Sequence, residues 1–238
     1  SWDPVWHYVR WDFDGNDNAA GSTSNSFNNA TAKPFYIRGN TRLYHAKEAA
    51  INFAAKVLGP DGIPGSRVSI VSFNGPGTSG HVGSNNNAST DITLSSDLFN
   101  VVNAINGISA SNGTNTQAGF NRAKTVVEGA NNPNSNKVVI LFTDGMPTGS
   151  NNAGAGPNNP TSHNAHTIAA YTAGQSIYES GLADVFTIGL LQGLGGNVKN
   201  TAIDTLTLAQ NKGFYEAPNA EDLDDIFQDI SQKLGYSA

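Results

Sequence analysis

From Arg42 onward the apolar residues fall into short periodic blocks. Leu43, Ala46, Ala50, Phe53 and Val57 recur at helical spacing, with Asn40 or Thr41 as cap and Gly59-Pro60 as stop, which predicts a helix with one buried face. Arg67–Phe73 reads as a strand, bounded by Gly65 and by the glycine-rich run from Asn74 to Asn87. Helices are expected at about Leu98–Ile105 and Thr116–Glu128, the second presenting Phe120, Ala123 and Val127 on one side. Val138–Thr143 is apolar on both faces, as a central parallel strand should be. Beyond a Gly/Asn/Pro-rich loop at 145–163, the pattern gives a helix at about 165–180, a strand Val185–Leu190, a helix near 198–209, a strand Phe214–Ala217 and a last helix at 220–234. That last helix carries Leu223, Ile226, Phe227, Ile230 and Leu234 on one face, and Asn219 with Asp222 resembles a capping box. Strands alternating with helices of this length predict an α/β fold, doubly wound, with a mostly parallel sheet covered on both sides.

Residues 1–40 break the pattern. Trp2, Trp6 and Trp11 are the only tryptophans, and a polar Asn/Ser/Gly stretch from Asn16 to Thr31 comes after them. This reads as an arm or insertion on a core at 42–234, within one domain spanning 1–238. The tryptophans suit a minor core that holds the arm, or a stacking platform for a sugar or peptide.

Composition narrows the partners. The formal net charge of −6 argues against a phosphate backbone or an anionic membrane, so nucleic acid is set aside. Only 13% of residues are charged, and Asn, Ser, Thr and Gly carry the surface instead. The chain has no cysteine, which excludes a disulfide framework, thiolate metal sites and a cysteine nucleophile, and suits a surface protein. There is no apolar run of about 18 residues, so no direct membrane insertion is expected, and a start at Ser1 suggests that something was removed.

In sheets of this kind ligands bind at the carboxyl ends of the strands, where loops and helix N-termini converge. Asp144 stands at that end of Val138–Thr143. Thr114 and Thr116 precede a helix, in a turn that Gly113 makes pliable, so their hydroxyls can face the same crevice. Hydroxyls with a carboxylate and retained waters suit Mg²⁺, Mn²⁺ or Ca²⁺ and suit Zn²⁺ poorly. Taken singly, Asp144 reads equally as a turn residue and Thr114 as a helix-start residue.

Gly113-Thr-Asn-Thr-Gln-Ala-Gly-Phe120 together with Val138-Val-Ile-Leu-Phe-Thr-Asp-Gly145 closely resembles the von Willebrand factor A domain, over about residues 42–234. The resemblance implies a Rossmann-like sheet and a metal-ion-dependent adhesion site, to which Thr114 and Asp144 correspond by position. It implies a binding module rather than an enzyme, of bacterial surface or pilus adhesin type. The cation would bridge to an acidic side chain of a host or matrix protein or glycoprotein, or of a neighbouring pilus domain, and the location would be extracellular.

The family's Asp-x-Ser-x-Ser sequence, carried on an apolar central strand before the first helix, is not found before Arg42. In one account Val5–Asp14 serves as that strand and Asp12, Asp14 or Asn16 replaces the usual ligands, although the segment alternates charges and aromatics. In the other, Ser1 is the last serine of the motif, the strand comes from a separate segment, and residues 2–40 are an insertion. An open central slot would leave apolar surface unburied at ~25 cal/mol per Å², so something must fill it.

Three rival motifs lose on context. Gly75-Pro-Gly-Thr-Ser-Gly80 matches a dinucleotide fingerprint, but Pro76 removes an N–H and no helix comes after it, so no nucleotide is expected. His163 and His166 would be half a zinc site without a nearby carboxylate, and read better as part of a loop and helix start. No Gly-x-Ser-x-Gly elbow and no placed general base support a hydrolase. Two readings remain: a cation-dependent adhesion module, and a structural or pilus-assembly module of the same fold with a degenerate, metal-free site.

Overall fold

The computed structural model describes residues 42–75, 83–110, 113–130, 132, 135–151 and 165–235. The predicted caps Asn40 and Thr41, the three tryptophans and the proposed strand at Val5–Asp14 lie outside them. The first described elements are α1 (Arg42–Leu58) and β1 (Val68–Phe73), then a short 3-10 turn leads into β2 (Ala88–Ser95). Two helices come next, α2 (Leu98–Gly107) and α3 (Thr116–Glu128), and strands and helices then alternate: β3 (Val138–Thr143), α4 (Ala165–Tyr178), β4 (Asp184–Gly189), α5 (Gly196–Leu208), β5 (Gly213–Glu216) and α6 (Leu223–Lys233).

The expected parallel sheet is present in β3-β4-β5, paired in register from Val138 against Asp184 to Thr143 against Gly189. Strand β2 is not among the elements that periodicity predicts. It pairs antiparallel with β1, and its residues alternate between sheltered Ala88, Thr90, Ile92 and Leu94 and exposed Ser89, Asp91 and Thr93. Such a half-solvated edge strand is built from short polar residues, so it lacks the apolar run that marks β3. The Gly-rich run after β1 therefore leads to an antiparallel strand, where a dinucleotide fingerprint would need a helix.

Each face of the sheet has its own core, sorted by the period-two alternation of β3. Val139 and Leu141 pack with Phe120 and Val127 of α3, Ile177 of α4 and Leu206 of α5. Val138, Ile140 and Phe142 turn to the other face, towards Ala49 and Phe53 of α1 and Phe227 and Ile230 of α6. Helix α1 also reaches past that core: its Ala50, Ala54 and Leu58 pack with Val68 and Ile70 of β1, Ile92 of β2, and Val101 and Ile105 of α2. The fold is the doubly wound, mostly parallel α/β arrangement. The last helix starts later than expected, because Ala220–Asp222 form a 3-10 turn, held by the Asn219–Asp222 capping box.

Candidate metal centre at the carboxyl end of the sheet

The loops at the carboxyl ends of β1 and β3 meet at Thr114. Asn115 donates its N–H to the Asn74 carbonyl just past β1 (3.0 Å), and Thr148 and Gly149 past β3 both donate to the Thr114 carbonyl (2.8 and 3.1 Å). The Thr148 hydroxyl accepts the Thr114 N–H at 2.7 Å. With both backbone groups of Thr114 spent on the loops, its side chain is what remains for the crevice, and its Oγ1 lies 3.6 Å from where a Cβ on Gly145 would sit. Of the two residues singled out from sequence, Thr114 thus lies beside Gly145, the chain neighbour of Asp144. Ser1, Asp12 and Asp14 lie outside the described residues.

Beneath the loops runs a half-buried amide ladder. Asn115 is fully buried; it caps α3 by accepting the Ala118 N–H (3.1 Å), and its side-chain amide donates to Asn151 Oδ1 (2.8 Å) and Asn87 Oδ1 (3.3 Å). Asn87 donates in turn to Asn74 Oδ1 (3.3 Å). His166 is fully buried too, with Nδ1 3.0 Å from Ser150 Oγ. It braces the loop that carries Ser150 from within the core, and His163, its partner in the discarded zinc reading, lies outside the described residues.

Arg42, the first residue of α1, belongs to the site although the motifs do not point to it. One guanidinium nitrogen, Nη1, lies 3.8 Å from Asp144 Oδ2, and Nη2 donates to the Gln192 carbonyl at 2.5 Å. One signal does exist in the sequence: a basic residue opening a helix opposes the helix dipole, so such a placement asks for a reason. The side chains of Arg42 and Asp144 are 44% and 57% exposed, so the pair itself stabilises the fold little.

The donors fit a hard cation in kind. Thr114 offers a hydroxyl and Asp144 a carboxylate, and the Thr116 hydroxyl in the first turn of α3 is buried without a hydrogen-bond partner among the described residues. Among the described residues there is no group of three or more His, Asp or Glu side chains, so a transition-metal cage is not what they offer.

The model of the von Willebrand factor type A domain matches residues 22–146, more than half of the chain. The chain belongs to this family. Solved structures of similar fold include the pilus adhesin SpaC of Lactobacillus rhamnosus GG, with a TM-score of 0.66 and 17% identity over 82% of this chain. They also include the von Willebrand factor domain of the type V pilus tip protein Mfa5 of Porphyromonas gingivalis, with a TM-score of 0.62 and 18% identity over 83% of this chain and 90% of that one. A third is proximal thread matrix protein 1 of the mussel byssus, whose adhesion motif holds zinc, with a TM-score of 0.54 and 19% identity over 79% of this chain and 42% of that one. The chain spans only 28% of the length of SpaC, and no curated protein matches it. These likenesses show the fold, which this von Willebrand factor A domain shares with domains of the pilus proteins SpaC and Mfa5.

Proposed function

We propose that this domain is an extracellular binding module of a bacterial surface or pilus protein, an arm at 1–40 on a core at 42–234, that holds a divalent cation at Thr114 and Asp144 and recognises a protein or glycoprotein through it. The observation that supports this reading is the placement of the Thr114 hydroxyl beside Gly145, next in the chain to Asp144, with Thr114 pinned through its backbone. The hydroxyl and carboxylate oxygens favour Mg²⁺, Ca²⁺ or Mn²⁺. The cation would supply an open coordination position for an acidic side chain of the partner, while the chain's own task is to hold the two oxygens in place. The zinc in the mussel protein is a property of that protein.

Isothermal titration of the full chain with Mn²⁺, Mg²⁺ or Ca²⁺ tests the proposal. Binding at one site per chain, lost in Asp144→Ala and weakened roughly tenfold or more in Thr114→Ala, is the expected result. Equal binding in the chain and in Asp144→Ala would exclude this site.

A second reading has its own support. Arg42 already balances the Asp144 charge, and the Asp-x-Ser-x-Ser sequence is not found before Arg42. A structural or pilus-assembly module with a degenerate, metal-free site would show no cation binding at all, together with concentration-dependent association.

A further inference from the structure

The guanidinium of Arg42 is anchored on one side and only loosely paired on the other. Nη2 donates to the Gln192 carbonyl at 2.5 Å, whereas Nη1 lies 3.8 Å from Asp144 Oδ2, outside hydrogen-bond range. The anchor is built into the fold. Gln192 follows β4 in a turn closed by the Leu194 N–H on the Leu191 carbonyl (3.3 Å), with Gly193 at φ 83°. The Gln192 carbonyl therefore takes no part in the turn's own hydrogen bond and is left for the guanidinium. A Cβ on Gly193 would sit 3.5 Å from Nη2, so the arginine head lies against that glycine.

The turn and the Asp144 loop are also fixed to each other. Leu191 is fully buried and packs with Met146, two residues past Asp144, and the Leu190 N–H donates to the Thr143 carbonyl at 2.9 Å. Arg42 reaches across from α1 to this one scaffold. Its planar fork of donors matches a carboxylate, yet among the described residues the Gln192 carbonyl is the single hydrogen-bond acceptor it uses. Both members of the Arg42–Asp144 pair face solvent, so the pair is weak and separable. A second carboxylate can take the place of Asp144 without disturbing the Gln192 anchor, and can make the short charge-assisted bonds that Asp144 does not make at 3.8 Å.

We propose that Arg42 is an exchangeable carboxylate anchor, paired with Asp144 in the cation-free domain and with an acidic side chain of the partner once a cation takes Asp144. This rests on the cation reading given above and adds to it a residue that selects the partner. Because Asp144 and the partner's carboxylate share one guanidinium, the cation and the partner strengthen each other's binding by the same factor. A lysine at this position would supply the charge without the fork.

Titration of the full chain with acetate, standing for the partner's carboxylate, tests the proposal. Binding is read from the backbone amide shifts of Gln192 and Gly193, with and without saturating Mg²⁺, and Mg²⁺ affinity is measured separately by calorimetry. In the unaltered chain Mg²⁺ is expected to tighten acetate binding roughly tenfold. Arg42→Gln should bind Mg²⁺ at least as tightly, yet bind acetate in its presence roughly tenfold more weakly, and Arg42→Lys should recover only part of that loss. Equal acetate affinity in the unaltered chain and Arg42→Gln, both with Mg²⁺ bound, would overturn this inference and leave the cation reading standing. Failure of both chains to bind Mg²⁺ would overturn the cation reading and this inference with it.

Discussion

Thr114 is held through its backbone by Thr148 and Gly149, and its chain neighbour Asn115 anchors the same loop from below. Its amide caps α3 and donates to two further asparagines, so truncation removes a cap worth about 1 kcal/mol and two hydrogen bonds of about 0.5–1.5 kcal/mol each. Asn115→Ala is expected to lose about 2–4 kcal/mol in urea unfolding. Asn115→Asp keeps the cap acceptor but sets a carboxylate against two amide oxygens, and should recover only part of that loss. At the other end of the chain Lys233 donates to the Tyr215 hydroxyl (2.6 Å) and pairs with Asp229 (2.9 Å), while Tyr215 donates to Asp229 (2.8 Å). The Lys233 hydrogen bond, and after it that of Tyr215, holds the Asp229 carboxyl below the usual range. A depressed carboxylate contributes stability above its unfolded value of about 3.9 and loses it as pH falls through the lowered value. Lys233 is raised, first by Tyr215 and then by Asp229, so its contribution is complete below about 10.4 and is lost as pH rises through the raised value. Lys233→Met should move the Asp229 titration towards the ordinary carboxylate range and remove the alkaline contribution, which carboxyl NMR and unfolding at several pH values would show.

Among the elements, those with a full apolar stripe were legible and those that depend on context were not. The bounds of α1, α3 and β3 can be read from periodicity and composition alone, because each buries a face wide enough to dominate its own segment. β2 escaped notice because its stability comes from pairing with β1 and from shelter on one side only. Packing between helices leaves an even weaker trace. Gly174, in the middle of α4, reads as a flaw in a helix, yet a Cβ there would lie 2.4 Å from the Ala209 carbonyl at the end of α5. Gly→Ala in a helix interior ordinarily gains about 1 kcal/mol. Here the backbone of the facing element cannot step aside, so Gly174→Ala is expected to cost about 1–3 kcal/mol, read as a lower thermal midpoint.

For the whole molecule, topology carried the fold and also half of the candidate site. The order of strands and helices placed Asp144 at the carboxyl end of β3, and the loop before α3 set Thr114 beside the neighbouring Gly145. What sequence did not disclose was reach. Arg42 lies 102 positions before Asp144 and 150 before Gln192, and only the wrapping of α1 over the sheet puts the three together. Its presence bears on how an ion would arrive. One guanidinium close to Asp144 offsets that carboxylate's charge, so a cation bound there as proposed would gain less long-range pull from it than from a lone aspartate. Capture would then be decided at contact, by how well oxygen atoms replace water around the ion. Added salt, which weakens an exposed pair by screening, would loosen the hold of Arg42 on Asp144 while also dulling the attraction of the carboxylate. Cation affinity here should therefore vary less with ionic strength than it would at a lone surface aspartate.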